Sequence, residues 1–350
     1  MAAENKSHFA ILDGVRGCAA LSVLLFHLGH WLNIRGLATN SGLAVDLFFC
    51  LSGFVLNMAY DRRLGSGLSA ARFFTLRLAR LMPLIILGTI VSGVYVAFRL
   101  KVQGVEGMTL PLLLALAAGA TGVPYVGAPV EIGGPQIFPL NGPQYSLFLE
   151  LFINLLWAMT YRLPLTGQGR DRLFIALIGV SLVSIGLFGG GGDKAATFLQ
   201  GFPRVTCSFL IGVLLQKRLS RRPVALRLGR SFPWMMAGMG LLFFAPLHLP
   251  AAVDVLWILL GAPLVVASGS QFSLSGPINR ILLLGGELSY PIYALHYPIF
   301  CWINGLYVTA FHARSPWLES ALIVLGVIGL SHFALRRYDE PVRRRLAAAL

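Results

Sequence analysis

The sequence predicts an all-α polytopic membrane protein, a bundle of about ten transmembrane helices with both termini cytoplasmic. Three observations carry that prediction. Of the 350 residues 56% are hydrophobic and only 12% charged, against about one quarter charged in soluble domains, and the mean hydropathy is +0.74. Apolar runs recur from about residue 15 to about residue 335 with no polar block long enough to fold by itself, so residues 1–350 read as a single membrane domain. The formal charge of +14 would suit a nucleic-acid partner, but the basic residues sit in short loops between apolar runs and not on one face or tail. That is the positive-inside signature of a multi-pass protein of the cell (inner) membrane. The expected partner is a lipid bilayer, with no nucleic acid.

Candidate spans fall near 16–34, 43–60, 83–100, 144–161, 173–189, 203–216, 231–247, 252–268, 289–307 and 317–335. Each is roughly long enough for a hydrocarbon core of about 30 Å. The loop at 61–82 carries Arg62, Arg63, Arg72, Arg77 and Arg80. The loop at 217–230 carries Lys217, Arg218, Arg221, Arg222, Arg227 and Arg230, and the tail carries Arg336, Arg337, Arg343, Arg344 and Arg345. Ten spans put all three on the cytoplasmic side. The short, Gly-containing run from Thr109 is expected to be re-entrant or surface-lying, inside a long external segment whose "GVPYVGAPVEIGGPQIFPLNGPQ" is a loop by composition. Lys6 precedes the first run as in a signal peptide, yet Asp13 and Arg16 interrupt it, so it reads as a retained helix. Cys18, Cys50, Cys207 and Cys301 all fall in apolar segments without metal-ligand spacing, which predicts neither disulfides nor a metal site.

Ionisable residues inside those runs need a reason, because each costs roughly 2.5–3.5 kcal/mol in hydrocarbon. "FAILDGVRGCAALSVLLFHLGHWLNI" holds Asp13, Arg16, His27 and His30. Arg16 and His27, eleven residues apart, sit about 20° from one radial direction and about 16 Å apart along a helix axis. Arg16 reads either as a ligand-holding cation or as an interfacial anchor, and His27 either as a base or as a core histidine bonded to a neighbouring helix. In "GLAVDLFFCLSGFVLN" Asp46 shares the depth of His27 and is a candidate acceptor for its imidazole N–H; a helix N-terminal carboxylate is the other reading. Ser52 and Gly53 suit close helix packing or a substrate contact.

Arg77 and Arg80, three apart before Pro83, form a fork suited to phosphate, or are ordinary interfacial arginines. Glu150 stands in the apolar "PQYSLFLELFINLLW" as a candidate acid, base or hydrogen-bond partner. His296 lies in mid-span, flanked by Tyr290, Tyr293 and Tyr297, with Glu287 at the inner end.

Taken together these residues resemble the membrane-bound acyltransferase-3 family, integral membrane O-acyltransferases that modify exopolysaccharide, lipopolysaccharide and related glycans. "LDGVRGCAALSVLLFH" is similar to the family's opening signature, with Asp13, Arg16 and His27 in place. "AVDLFFCLSGFVL" resembles its Asp-containing Ser-Gly-Phe helix and "RLAR" its Arg-x-x-Arg motif. "ELSYPIYALHYPIF" and "YDEPVRRRL" resemble its late helix and closing tail. In "YSLFLE" Tyr145 replaces the usual Trp, while Ser146, Leu147 and Glu150 keep their spacing. No hydrolase extension follows the last span, so the resemblance is to stand-alone forms and leans toward those that acetylate exopolysaccharide.

The resemblance implies an acyl-CoA donor, acetyl-CoA foremost, used as co-substrate with no tightly bound cofactor, and a saccharide or lipid-linked glycan acceptor. On that reading Arg16, Arg77 and Arg80 hold the CoA phosphates while the pantetheine arm rises along the bundle. His27 takes the acceptor's proton, Glu150 or Asp46 assists, and His296 or a tyrosine hydroxyl steadies the oxyanion. Asp13, Ser52 and Tyr145 fall on the substrate side. The alternative is a transporter or flippase, since intramembrane His and Glu also relay protons; no inverted repeat supports it.

Overall fold

The computed structural model describes residues 10–221, 227–246, 248–274, 276–311 and 314–350. Lys6 and Arg222 of the sequence argument lie outside them. Apart from one isolated β-bridge between Gln136 and Lys194, the regular structure of the described residues is helical. The helices are α1 (Ala10–Trp31), α2 (Ala44–Gly65), α3 (Ala70–Val102), α4 (Thr109–Thr121), α5 (Gln144–Met159), α6 (Gly167–Phe188) and α7 (Gly201–Arg221). After these come α8 (Phe232–Phe244), α9 (Ala251–Leu256), α10 (Ala262–Gly269), α11 (Pro277–Phe311), α12 (Pro316–Ala334) and α13 (Glu340–Ala349). A π-helical turn at Trp257–Gly261 joins α9 to α10, and another at Leu335–Asp339 joins α12 to α13.

Seven helical stretches among the described residues are long and apolar enough to cross a membrane: Ala10–Trp31, Ser41–Gly65, Ala70–Val102, Gly167–Phe188, Ala195–Arg221, Ala252–Gly269 and Pro316–Ala349. The other three expected spans are helical too. Their shortfall has a physical cause: α5, at 16 residues, and α8, at 13 residues, reach only about 24 and 20 Å, and α11, long enough at 35 residues, is diluted by Glu287, His296 and two internal prolines. The run from Thr109 is a helix of 13 residues, too short to span. Its Leu112 and Ala115 pack with Val96, Leu100, Ile132 and Leu140, while Leu110 and Leu113 are 66% and 57% exposed.

Exposed apolar stripes mark the lipid-facing sides. Ile90, Val94 and Phe98 recur every four residues along α3 and are about half exposed or more, an arrangement that water would penalise and hydrocarbon does not.

The chain divides into two compact units. The first comprises the residues up to Ala70 with Ile153–Gly189 and Pro203–Tyr290. In it α2 and α7 touch backbone to backbone. A Cβ on Gly53 would lie 2.0 Å from the Phe209 carbonyl oxygen, and one on Gly212 would lie 2.0 Å from that of Cys50. Small residues at such crossings let dispersion act between main chains where no hydrophobic force is available. Asn57 Nδ2 donates to Gln216 Oε1 at 2.6 Å lower in the same crossing. Gly53→Ala should therefore lower the stability of the detergent-solubilised protein by about 1–3 kcal/mol, read as a lower thermal midpoint. Gly240→Ala on α8, where a Cβ would meet nothing within 4 Å, is the control and should not.

The second unit comprises Ala71–Phe152, Gly190–Phe202 and Pro291–Leu350. Its Pro- and Gly-rich segment is tied down by main-chain bonds, Tyr125 N to Ile137 O at 2.8 Å and Ile137 N to Asp193 O at 3.0 Å. Arg99 also donates to the carbonyl of Glu131.

Candidate active site

In the first unit α1 places four of the predicted residues along one helix. Asp13 and Arg16 form an i, i+3 ion pair at 3.5 Å, both partly exposed. Eleven residues on, His27 Nδ1 lies 3.0 Å from the Val23 carbonyl oxygen. A carbonyl only accepts, so Nδ1 carries the proton and the neutral ring keeps its lone pair on Nε2. The ring stacks on Trp31 with centroids 5.0 Å apart and meets Phe26 edge-on. A histidine so held has the tautomer and fixed orientation that a general base needs.

Asp46 is fully buried. The carboxylate that the sequence offered to His27 is bound instead by Arg204, whose Nε reaches Oδ1 at 2.7 Å and whose Nη2 reaches Oδ2 at 2.6 Å. Ser208 Oγ adds a donor at 3.4 Å. A bidentate guanidinium is the strongest partner available to a buried carboxylate, which accounts for the choice. Sequence reasoning passed over Arg204, although a lone arginine opening the run "PRVTCSFLIGVLL" is the kind of opposite charge an intramembrane Asp requires. Ser52 is half-buried beside the packing glycine Gly53. Asn154, in the part of α5 that belongs to this unit, is fully buried, and neither of its amide atoms has a hydrogen-bond partner among the described residues.

In the second unit Arg77 and Glu150 meet. Arg77 Nη2 donates to Glu150 Oε1 at 2.9 Å, with the Arg77 side chain 9% and the Glu150 side chain 16% exposed. This divides the predicted fork: Arg77 turns inward, whereas Arg80 stays exposed and lends favourable charge to the Asp339 carboxylate of the tail. The cause is the cost of a lone carboxylate in hydrocarbon, which draws the nearest guanidinium.

On α11, His296 is buried, and its Nδ1 lies 2.8 Å from the Tyr293 carbonyl and 3.2 Å from that of Ile292. The same argument puts its proton on Nδ1 and its lone pair on Nε2. The Tyr293 hydroxyl and Ser146 Oγ lie 2.6 Å apart, both buried. Asn141 Nδ2 donates to the Ala294 carbonyl at 3.0 Å, and Gln144 Nε2 to that of Gly119 at 2.7 Å. Tyr145 is half-buried, and its ring lies where a Cβ on Gly192 would be 3.1 Å away. Among the described residues no group of His, Cys, Asp and Glu is arranged to hold a metal ion.

Fold and site together define a polytopic helical membrane protein with oriented histidines and paired charges within its bundle. The chain belongs to the acyltransferase-3 family, whose acyltransferase domain matches residues 9–336. It is thus an enzyme of the acyltransferase class. It is 35% identical over 165 residues to "Protein 2 in picA locus" of Rhizobium radiobacter, a match covering 45% of this chain and 85% of that protein. It is also 22% identical over 360 residues to the O-acetyltransferase OatA of Staphylococcus aureus (strain NCTC 8325 / PS 47), covering 95% of this chain and 57% of OatA. The chain thus spans little more than half of that relative's length. No solved structure matches.

Proposed function

We propose that this chain transfers an acyl group, acetyl foremost, from cytoplasmic acyl-CoA to a hydroxyl of a cell-surface or exopolysaccharide saccharide, with His27 as general base. The observation that carries the proposal is the Nδ1 contact of His27 to Val23, which leaves the basic lone pair on Nε2. The family supplies acyl transfer, and OatA is a relative that acts on oxygen.

In this mechanism Nε2 removes the acceptor hydroxyl's proton as the oxygen attacks the thioester carbonyl carbon. The tetrahedral adduct then collapses, the C–S bond breaks, and the imidazolium returns the proton to the leaving CoA sulfur. In the first unit Arg16, oriented by its Asp13 partner, is the cation suited to the donor's phosphates. In the second unit Arg77 holds the Glu150 carboxylate in one orientation. His296, protonated on Nδ1, presents an acceptor nitrogen and suits a substrate hydroxyl better than an oxyanion. A tyrosine hydroxyl suits the oxyanion.

Purified protein given radiolabelled acetyl-CoA should release CoA only when a glycan acceptor is present. Donor binding without acceptor-dependent release would favour a carrier and sink the transferase reading. The orientation is tested separately, with Arg72 on the cytoplasmic side and Gly133 outside. Gly133→Cys should react with an impermeant maleimide on intact cells and Arg72→Cys should not; the reverse pattern would overturn the map.

A further inference from the structure

The first unit has a cleft at the far end of α1, beyond His27, that no part of the mechanism above uses. Its volume is about 210 Å³, and its lining includes Phe26, His30, Asn33, Arg35, Thr39 and His248. That is below the ~300–1,000 Å³ of pockets for drug-sized ligands, and it fits one ring-sized group. Three of the lining side chains, His30, Arg35 and His248, carry N–H donors, and among the described residues no carboxylate lines the cleft. Asn33 and Thr39 add an amide and a hydroxyl, the partners that sugar hydroxyls use.

The cleft is built, and not merely left over between loops. Asn33 and Ala38, with φ of 55° and 51°, are the two non-glycine residues of positive φ among the described residues, and both lie in its loop beside Gly36 at 77°. Such backbone is sparsely populated by residues with a side chain and persists where the surroundings over-determine it. Here the surroundings do so: Asn40 Nδ2 donates to the carbonyls of Leu242 and Ala245, both at 3.2 Å, and Asn40 N to that of Phe243 at 3.2 Å. Trp257 Nε1 holds the Leu43 carbonyl at 2.8 Å. The loop is thus fastened to the end of α8, and His248, just beyond that end, joins His30 and Arg35 in the lining. The rim lies where α1 ends and α2 begins, at the opposite ends of these helices from Asp13 and Arg16 and from Arg62 and Arg63, the outer face by the positive-inside rule.

We infer that this cleft binds the carboxylate of an acidic sugar residue, a hexuronate, of the acceptor glycan, and so selects acidic over neutral saccharides. The inference rests on the transferase reading, since it takes the bound saccharide to be the acceptor. His30 lies three residues beyond His27 on α1, a rise of about 4.5 Å, so a residue anchored in the cleft keeps its neighbours within reach of the base. A phospholipid headgroup would use the same N–H donors, but it has less need of the amide and hydroxyl that flank them.

The test uses the full chain in phosphatidylcholine nanodiscs, titrated calorimetrically with a galacturonate trisaccharide and a glucuronate-containing hyaluronan tetrasaccharide, each beside its neutral methyl ester. At least one acid should bind about tenfold or more tightly than its ester. Arg35→Ala with His248→Ala should remove that preference while acyl-CoA affinity stays unchanged, and Arg35→Lys should retain most of it. Equal affinity for acid and ester, binding of none of the four, or an undiminished preference in a well-folded double variant would each overturn the inference. Loss of the acid's binding when phosphatidylglycerol is added to the discs would assign the cleft to lipid and also overturn it. Turnover of acetyl-CoA on the same preparation separates the two readings. An active protein without acid preference removes the subsite alone, and an inactive one that keeps the preference removes the transferase reading alone.

Discussion

His27→Gln is expected to leave a folded protein that binds acyl-CoA nearly as tightly as the parent but transfers acyl groups at least ~100-fold more slowly, the scale of a lost general base. Glutamine retains polarity and can still donate to the Val23 carbonyl that holds Nδ1 at 3.0 Å, yet it has no nitrogen able to take a proton. His27→Ala should be equally inactive. If the histidine served only to pack against Trp31, glutamine would be tolerated and alanine would destabilise the fold. Arg16→Ala should behave differently: on the proposed reading its guanidinium, paired with Asp13 at 3.5 Å and partly exposed, serves the donor's phosphate and not the reacting carbon, so its loss should mainly raise the donor's apparent KM. Near-normal glycan acylation by well-expressed His27→Gln would remove the histidine from the chemistry.

Hydropathy and loop charge make the helices legible because the bilayer imposes one rule on every span: satisfy the backbone internally and present apolar side chains. Among the described residues a helix accordingly covers most of each of the ten expected segments. The periodicity of α1 likewise places Arg16 and His27, since both belong to one helix whose geometry is fixed. What the sequence does not reveal is which helix stands beside which. Gly53 reads as small, but only Phe209 and Gly212 on α7 explain why it must be. Arg77 and Arg80 look like a pair because they are three residues apart, yet the desolvation cost of Glu150, seventy-three residues away, separates them. The cleft at the end of α1 depends on a loop with three positive φ values and on His248 more than two hundred residues later. Neither leaves a periodic signal.

Asp46 and Arg204 give the second large effect, on stability. Arg204→Ala should lower the stability of the solubilised protein by about 3–5 kcal/mol, because it leaves a wholly buried carboxylate without its two-pronged partner. Asp46→Leu alone leaves the partly exposed guanidinium with the charge of Asp254 still acting on it and should cost less. Arg204→Lys should recover only part of the loss, since one ammonium cannot serve both oxygens, now 2.7 and 2.6 Å from Nε and Nη2. The informative variant is the double one, Asp46→Leu with Arg204→Met. Replacing a whole buried ion pair by apolar residues of similar size removes the desolvation penalty together with the attraction and is often neutral or stabilising, so its thermal midpoint should return to near the parent's. A double variant as unstable as the singles would show that the two residues are not held as a pair. The same variant decides what the carboxylate is for. If Asp46 serves to fasten α2 to α7, the refolded double variant retains acyl transfer; if the carboxylate also acts on substrate or on the base, the variant is folded, binds acyl-CoA and is inactive.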